Sequence, residues 1–553
     1  MFFLGGHWRM SVVESEYRFA PQERPMFPGS PFAPNHSLPR KISYICVGTL
    51  IGALATFTNA LVNVNAGNLA GSLGLTLAQV SVLPAIYVAM NATANLTLVR
   101  ARAKFGIPEV TVALLGLYAL AAFVQLVLPG YAAAIALRAT CGVAAASLTT
   151  LTIYYFLQVM PVALRPLALV IGISLTQLGT PLARLVPLDL LAQDNWHGLS
   201  LIELGASLTI AAVILAVPLP PSERSPAFER LDFVTIGLMV PAFLLLCIVL
   251  GEGRLLWWMD RAWLGWALAV AVPMVAAAVV IENNRERPLL QTQWLGSRDV
   301  LRFIAVALLV RLALAEQTYG SVGFLTSGGP HQRPAPHAVR LCASLDGAGR
   351  RRRLRHAFGA AAALSGSGGV ADHRARRLAR QLLDQHHAAE QLYLSQSLIG
   401  FGTTLFIGPT LAYGFLQMLR KGPTHLVSLI VVFSMTQNIG GLAGSAFLGT
   451  AQVLYAKAHA SNLAGDIVVG DPLAAARIQG GAQVFSGVLG DPVLRGAEGA
   501  GLLGRSLAGE ANTLAFNDVF RLVEWISIAT AVYLTYLIAT TAIRRRREAM
   551  ATT

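Results

Sequence analysis

The chain has 553 residues, of which 55% are hydrophobic and only 13% charged, with a mean hydropathy of +0.58. Soluble domains carry about 25% charged residues, so this composition excludes a soluble enzyme or binding module and indicates an integral membrane protein. The formal charge of +14 does not point to nucleic acid. Half of it, +7, comes from eleven Arg set against Asp346, Asp372, Asp384 and Glu390 within residues 330–390. The rest sits in short loops, where the positive-inside rule expects it.

Residues 1–41 are polar and proline-dotted and read as a cytoplasmic tail. Their only apolar stretch, Met1–Gly5, is too short for a signal-peptide core, so the first span is expected to act as the insertion signal, with Met10 an alternative initiator. A span takes about 20 mostly apolar residues. The predicted spans are Ile42–Val64, Ala78–Leu98, Pro108–Leu128, Tyr131–Tyr154, Arg165–Leu188, Leu199–Leu219, Phe233–Gly251, Trp263–Ile281, Val300–Leu325, Leu392–Leu416, Leu426–Tyr455 and Val519–Ile543. Three cysteines, Cys46, Cys141 and Cys247, fall in these runs and Cys342 lies in the Arg-rich segment, so no disulfide or metal framework follows.

Charge orients the spans. Arg40 and Lys41, then Arg100, Arg102 and Lys104, then Arg224 and Arg230, then Arg285, Arg287 and Arg298, then Arg420 and Lys421, and finally Arg544–Arg547 all fall on one side if both termini are cytoplasmic. The nearly uncharged first, third and fifth connections then face out.

Residues 330–390 interrupt this pattern. They hold eleven Arg, six His and one Phe, with no Ile, Met, Trp, Tyr or Lys, and cannot cross a bilayer. Nine predicted spans precede them, and counting back from the basic tail also places Leu392 outside, so an even number of spans is missing. Two helices and their loops fit the length, giving twelve visible spans and fourteen in an intact chain. Out-of-frame translation of GC-rich DNA produces this composition; the alternative is a genuine disordered basic loop. The coding DNA across 328–391, read in the other frames, is expected to restore two apolar runs of about 20 residues. Three polar frames would instead make the segment a real outer loop.

Several stretches resemble the fourteen-helix drug:proton antiporter branch of the major facilitator superfamily, the EmrB/QacA type. Leu137–Ala145 resembles the superfamily's Arg-x-x-x-Gly motif, with Arg138 and Gly142 in its fixed positions. Gln437–Thr450 resembles the branch's late-helix signature, and Ala511–Phe520 the approach to its last helix. Leu98–Gly106 keeps Arg100, Arg102, Lys104 and Gly106 of the cytoplasmic loop motif, while Val99 and Ala103 replace its first Gly and its Asp. Leu61–Asn65 resembles the first-helix motif, with Thr58 where an acidic residue is usual. Gly172, Gly179 and Pro181 partly match the antiporter motif, with Thr180 between Gly179 and Pro181 and Ala183-Arg184 where small residues are usual.

The resemblance implies an all-α polytopic protein with the major facilitator fold. The expected parts are a six-helix bundle over 42–219, two linker helices over 220–282 and a second bundle over 283–543 interrupted at 330–390. A large outer loop over 457–518, with turns at Asp471-Pro472 and Asp491-Pro492, and a basic tail over 544–553 complete it. That loop caps the outer cavity, touches an adaptor protein or is a linker.

Physical chemistry marks the candidate site residues. An intramembrane Arg138 costs at least a few kcal/mol and needs a partner or a wet cavity. The resemblance makes it part of a proton relay; the structural alternative is charge neutralisation alone. Glu316, with Arg311 five residues before it, is the predicted proton-binding carboxylate; a purely structural ion pair is the alternative. Glu524, and Asp189 with Arg184, are further candidates nearer the surface. Gly440, Gly441 and Gly444 suit close helix packing, and Gly172, Gly179 and Pro181 a gate or an ordinary kink. No nucleotide, zinc or catalytic-triad motif has usable context, and no cofactor is implied. The expected function is export of amphipathic organic compounds or drugs by proton antiport from the inner membrane. The partners are a small-molecule substrate, protons and the bilayer. The alternatives are a non-functional or scaffold protein with a damaged frame, and a uniporter or importer of the same fold.

Overall fold

The computed structural model describes residues 30–324 and 425–552, apart from 73, 162, 163, 192, 223–227, 287, 318, 321, 322 and 469, together with residues 23, 25 and 414. The segment 330–390 and the predicted span Leu392–Leu416 lie outside the described residues. Among those described, the chain is helical, and ten helices are long and apolar enough to cross a membrane. This is a multi-pass membrane protein.

The helices are α1 Leu38–Leu54, α2 Phe57–Val64, α3 Ala66–Ser72, α4 Leu77–Phe105, α5 Ile107–Val127, α6 Tyr131–Leu157, α7 Arg165–Thr176, α8 Gly179–Leu185, α9 Leu188–Leu191 and α10 Gln193–Ala216. There follow α11 Arg230–Glu252, α12 Ala262–Asn283, α13 Thr292–Leu295, α14 Arg298–Leu314, α15 Leu426–Gly465, α16 Pro472–Val484 and α17 Pro492–Thr552. The predicted spans thus appear with shifted ends, set by local chemistry. Thr76 starts α4 with a reciprocal capping box to Gln79, and Gly106, at φ +106°, ends α4 and begins α5.

Two predicted spans are broken rather than continuous. The first divides into α1 and α2 at Ala55–Thr56, and the fifth into α7 and α8 at Gln177–Leu178. The breaks meet. Thr56 Oγ1 donates to the Thr176 carbonyl at 2.5 Å, satisfying an acceptor that α7 leaves at its end, and a Cβ on Gly179 would lie 2.8 Å from the Phe57 nitrogen. Irregular backbone inside a bilayer is stable only when protein groups satisfy it in this way.

The ends of α1, α4, α11, α12 and α14 that carry Arg40, Arg100, Arg230, Arg285 and Arg298 form one basic end of the bundle. There Arg100 Nη1 donates to Asp232 at 2.8 Å, and Arg285 donates to Glu229, Asp232 and Glu282 at 2.7 to 2.8 Å. Although burial alone disfavours its charge, these three carboxylates hold the Arg285 guanidinium above its usual range. At the other end Glu252 accepts from Ser81, so α11 is tied to α4 at both ends. One apolar cluster runs from α1, α6 and α7, through Ile51, Leu151 and Leu169, to Phe303 and Val310 on α14 and Phe433 on α15. Leu117, Leu120 and Phe123 on α5 and Trp266, Val272 and Val280 on α12 are exposed, the faces a bilayer covers.

The stretch 457–518, expected as an outer loop, is mostly helix. α15 continues to Gly465, α16 occupies 472–484, and α17 begins at Pro492. The two Asp-Pro turns are present, and their chemistry starts helices. Asp471 Oδ1 accepts from the Leu473 amide at 3.0 Å and Asp491 Oδ1 from the Val493 amide at 2.8 Å, each followed by Pro at the first helical position. Ala-rich sequence then propagates the helix, and Gly481 and Gly499 let α16 and α17 approach closely. At about 1.5 Å per residue, α15 is about 60 Å long, twice the bilayer core, so its last turns project beyond the membrane.

Candidate functional site

Arg138 lies about two turns into α6, a depth at which a cation needs a partner. That partner is Glu203 on α10. Arg138 Nη2 donates to Glu203 Oε1, and both side chains are buried. Glu203 is the acid that sequence reasoning missed, although its signal was present: it is the one carboxylate in the apolar run Leu199–Leu219, and the argument applied to Arg138 applies equally to it.

Thr58, at the position where the resembled branch has an acid, lies one turn beyond the pair. Its hydroxyl is 3.4 Å from Cys141 Sγ and accepts from Tyr118 at 3.1 Å. The first span therefore presents a neutral group here, and the carboxylate comes from α10.

The pair lines a cavity of about 340 Å³, enclosed by α2 to α6 and α10 at the end opposite the basic one. Its walls are apolar at Val62, Leu69, Leu83 and Leu137 and polar at Gln125, Trp196, Arg138 and Glu203. Three buried polar atoms of these lining residues have no hydrogen-bond partner among the described residues: Arg138 Nη1, Trp196 Nε1 and Gln125 Oε1. Buried polar groups are nearly always paired, so a pocket holding two spare donors and a spare acceptor suits a polar ligand atom.

A polar seam connects the helix of Arg138 to the second half. Asn438 on α15 donates to Asn91 Oδ1 at 2.9 Å, and Asn91 donates to the Gly142 carbonyl at 3.2 Å. Gly142 packs α6 so tightly on α4 that a Cβ there would lie 2.6 Å from the Tyr87 carbonyl oxygen. On α7, a Cβ at Gly172 would lie 2.6 Å from Ile153 Cγ1. Gly179 and Pro181 stand in α8, where it meets the break in the first span.

In the second half, Gly440 and Gly441 face Arg311, and Gly444 faces Leu312 and Ala315. Arg311 Nε donates to the Gln437 carbonyl at 3.0 Å. Glu316 is buried but lies in a 3-10 turn, Ala315–Gln317, rather than well inside a continuous helix, because α14 ends at Leu314. Glu203, within regular α10, is equally buried. Asp189 is exposed and Glu524 partly buried. Of the cytoplasmic loop motif, Arg100 reaches Asp232, the buried Arg102 donates to Ser147 Oγ at 2.9 Å, and Lys104 sits over the rings of Phe105 and Phe228. The structure therefore brings Arg138, Gly142 and Glu203 together and keeps Arg311 and Glu316 in the other half. Among the described residues no group of three His, Cys, Asp or Glu is placed to hold a metal.

No family model and no curated protein matches this sequence. The fold has solved counterparts. A bacterial homologue of the human drug peptide transporters PepT1 and PepT2 superposes with a TM-score of 0.53 at 11% identity, over 92% of this chain and 99% of that one. A bacterial homologue of the human lysosomal transporter Spinster, inward-facing and unoccupied, superposes with a TM-score of 0.51 at 13% identity, over 91% of this chain and 98% of that one. The chain has the major facilitator fold. Among the described residues α1 to α10 make six candidate spans, the first and fifth of them broken, and α11 and α12 make two more. At these identities the likeness carries the fold and not a branch, so the drug-antiporter resemblance rests on the motifs alone.

Proposed function

We propose that this protein is a secondary active transporter of the inner membrane, with both termini cytoplasmic, that exports a small amphipathic organic compound in exchange for protons. The observation that carries this reading is the buried Arg138–Glu203 pair on the wall of a cavity within a major facilitator fold. An ion pair between two helices, beside a space that can admit water, is a group that a proton can open. The two halves would rock about the seam at Asn91 and Asn438, alternately exposing the substrate. At a membrane potential of about 150 mV, one charge moved inward supplies roughly 3.5 kcal/mol, enough for a gradient of a few hundredfold without ATP. In this orientation the helical extension of α15, α16 and the start of α17 faces outward, the side on which an adaptor protein would be met.

The test uses inverted membrane vesicles with an acid interior and a panel of amphipathic compounds running from neutral to cationic. A transported compound is expected to dissipate the pH gradient, as read by a pH-sensitive dye, only in vesicles that contain the chain. Uptake without proton movement would make the protein a uniporter. No movement of any compound would favour a scaffold or a damaged product, the reading that residues 330–390 suggest.

A further inference from the structure

Among the described residues the cavity beside Arg138 is lined by residues between Val62 and Glu203, away from the seam at Asn91 and Asn438. We propose that it is a binding site for an uncharged molecule with an apolar body and a single hydrogen-bond-accepting end, such as an amide or ketone carbonyl.

Size and charge both select this class. At about 340 Å³ the space is near the small end of ligand pockets, which run from about 300 to 1,000 Å³, and most of its wall is aliphatic. Its polar wall is electrically balanced, because Glu203 already neutralises Arg138. An added carboxylate would bring a second negative charge beside Glu203, and an added ammonium a second positive charge beside Arg138. Beside the buried pair, away from bulk water, either arrangement costs more than it would in solution. A neutral acceptor meets neither penalty. The Arg138 Nη1 and Trp196 Nε1 hydrogens, which have no partner among the described residues, belong to two residues of the cavity wall.

Trp196 adds an independent sign. This large side chain is buried at the cavity wall while its backbone is left-handed, at φ +71°. A bulky residue in that region is a strained outlier, and such strain clusters at ligand sites. Cys141, Tyr118 and Tyr87 lie close to the pair, and Tyr131 and His197 line the cavity.

The inference rests on reading the cavity as the ligand site of a transporter, yet its test is binding and not transport. The full chain in lipid nanodiscs is titrated by calorimetry at pH 7.5 with octanamide, octanoate and octylamine, which share one tail. Octanamide is expected to bind about tenfold or more tighter than either ion, a gap of about 1.4 kcal/mol. Trp196→Phe keeps a ring, removes the N–H and should weaken octanamide about two- to tenfold, the range of one hydrogen bond. Ala134→Phe, one turn from Arg138 on α6, fills the cavity while leaving both charges in place, and should abolish binding with the size-exclusion profile unchanged. Glu203→Gln leaves Arg138 uncompensated and should reverse the preference, so that octanoate becomes the tightest of the three.

Equal binding of all three probes to the parent chain, or octanamide binding that survives in folded Ala134→Phe, overturns the proposal. So does a Glu203→Gln chain that still prefers octanamide to octanoate. A chain that binds octanamide but moves nothing in vesicles defeats the transport reading and leaves this site standing. A chain that transports but binds no octanamide does the reverse.

Discussion

Arg138→Ala is expected to reduce proton-driven transport by roughly a hundredfold or more, while the chain still inserts in the membrane. Removing one partner of a buried pair leaves the other charge uncompensated, which costs about 3–5 kcal/mol. Here the stranded group is Glu203, buried on α10 at the cavity wall. The single substitution therefore mixes a folding defect with a transport defect, and a second chain is needed to separate them. Arg138→Met combined with Glu203→Leu removes both charges and fills the same space with apolar side chains. Such replacements are often neutral or stabilising by about 1–4 kcal/mol. The double variant should recover the thermal stability and yield of the parent and still transport nothing. Transport by that double variant at the parent's rate would reduce the pair to packing. Both quantities are read on the same preparation, by a melting curve in detergent and by compound-dependent loss of the pH gradient in vesicles.

The sequence made the spans legible because apolar runs of about 20 residues have few alternatives, and charge oriented them. Breaks inside the runs were harder to read. The division at Thr56 is stabilised by Thr176, 120 positions away, and no local pattern reveals such a partner. The stretch 457–518 misled because turn signals at Asp471 and Asp491 look alike whether a loop or a helix follows; the Ala-rich composition was the informative part. Arg138 stood out because an intramembrane cation is rare and its spacing to Gly142 matches a motif. Glu203 matches no motif, and its importance appears only when α6 and α10 are brought side by side. Glu316 drew attention through its nearness to Arg311 in the chain, and that α14 gives way to a 3-10 turn between the two was not legible from the apolar run. The same limit hid the cluster of Arg100, Glu229, Asp232, Glu282 and Arg285, whose members lie on or just beyond the ends of three helices and would have been read singly as loop charges.

Glu203→Gln is expected to uncouple the transporter, and to do so more severely than Glu316→Gln. Glutamine keeps the size of the side chain and its acceptor oxygen and mimics a permanently protonated acid, so Arg138 loses its charge partner but retains a hydrogen-bond partner. Compound should still equilibrate across the membrane in either direction, as counterflow of labelled against unlabelled compound reveals, while accumulation driven by a pH gradient disappears. For a proton gradient equivalent to about 150 mV, that loss corresponds to a concentration ratio falling from a few hundredfold towards unity. Glu316, in a turn at the end of α14, sits beside Gly320 and Phe520 and apart from the cavity. Glu316→Gln is therefore expected to leave most of the accumulation intact, and Glu524→Gln and Asp189→Asn, at partly buried and exposed sites, to leave all of it. The decisive comparison is accumulation and counterflow for the four variants beside the parent. If Glu203→Gln accumulates normally while Glu316→Gln does not, the proton is carried in the second half and the pair at Arg138 is an ionic brace. If all four accumulate normally, a buried carboxylate does not couple this carrier to protons.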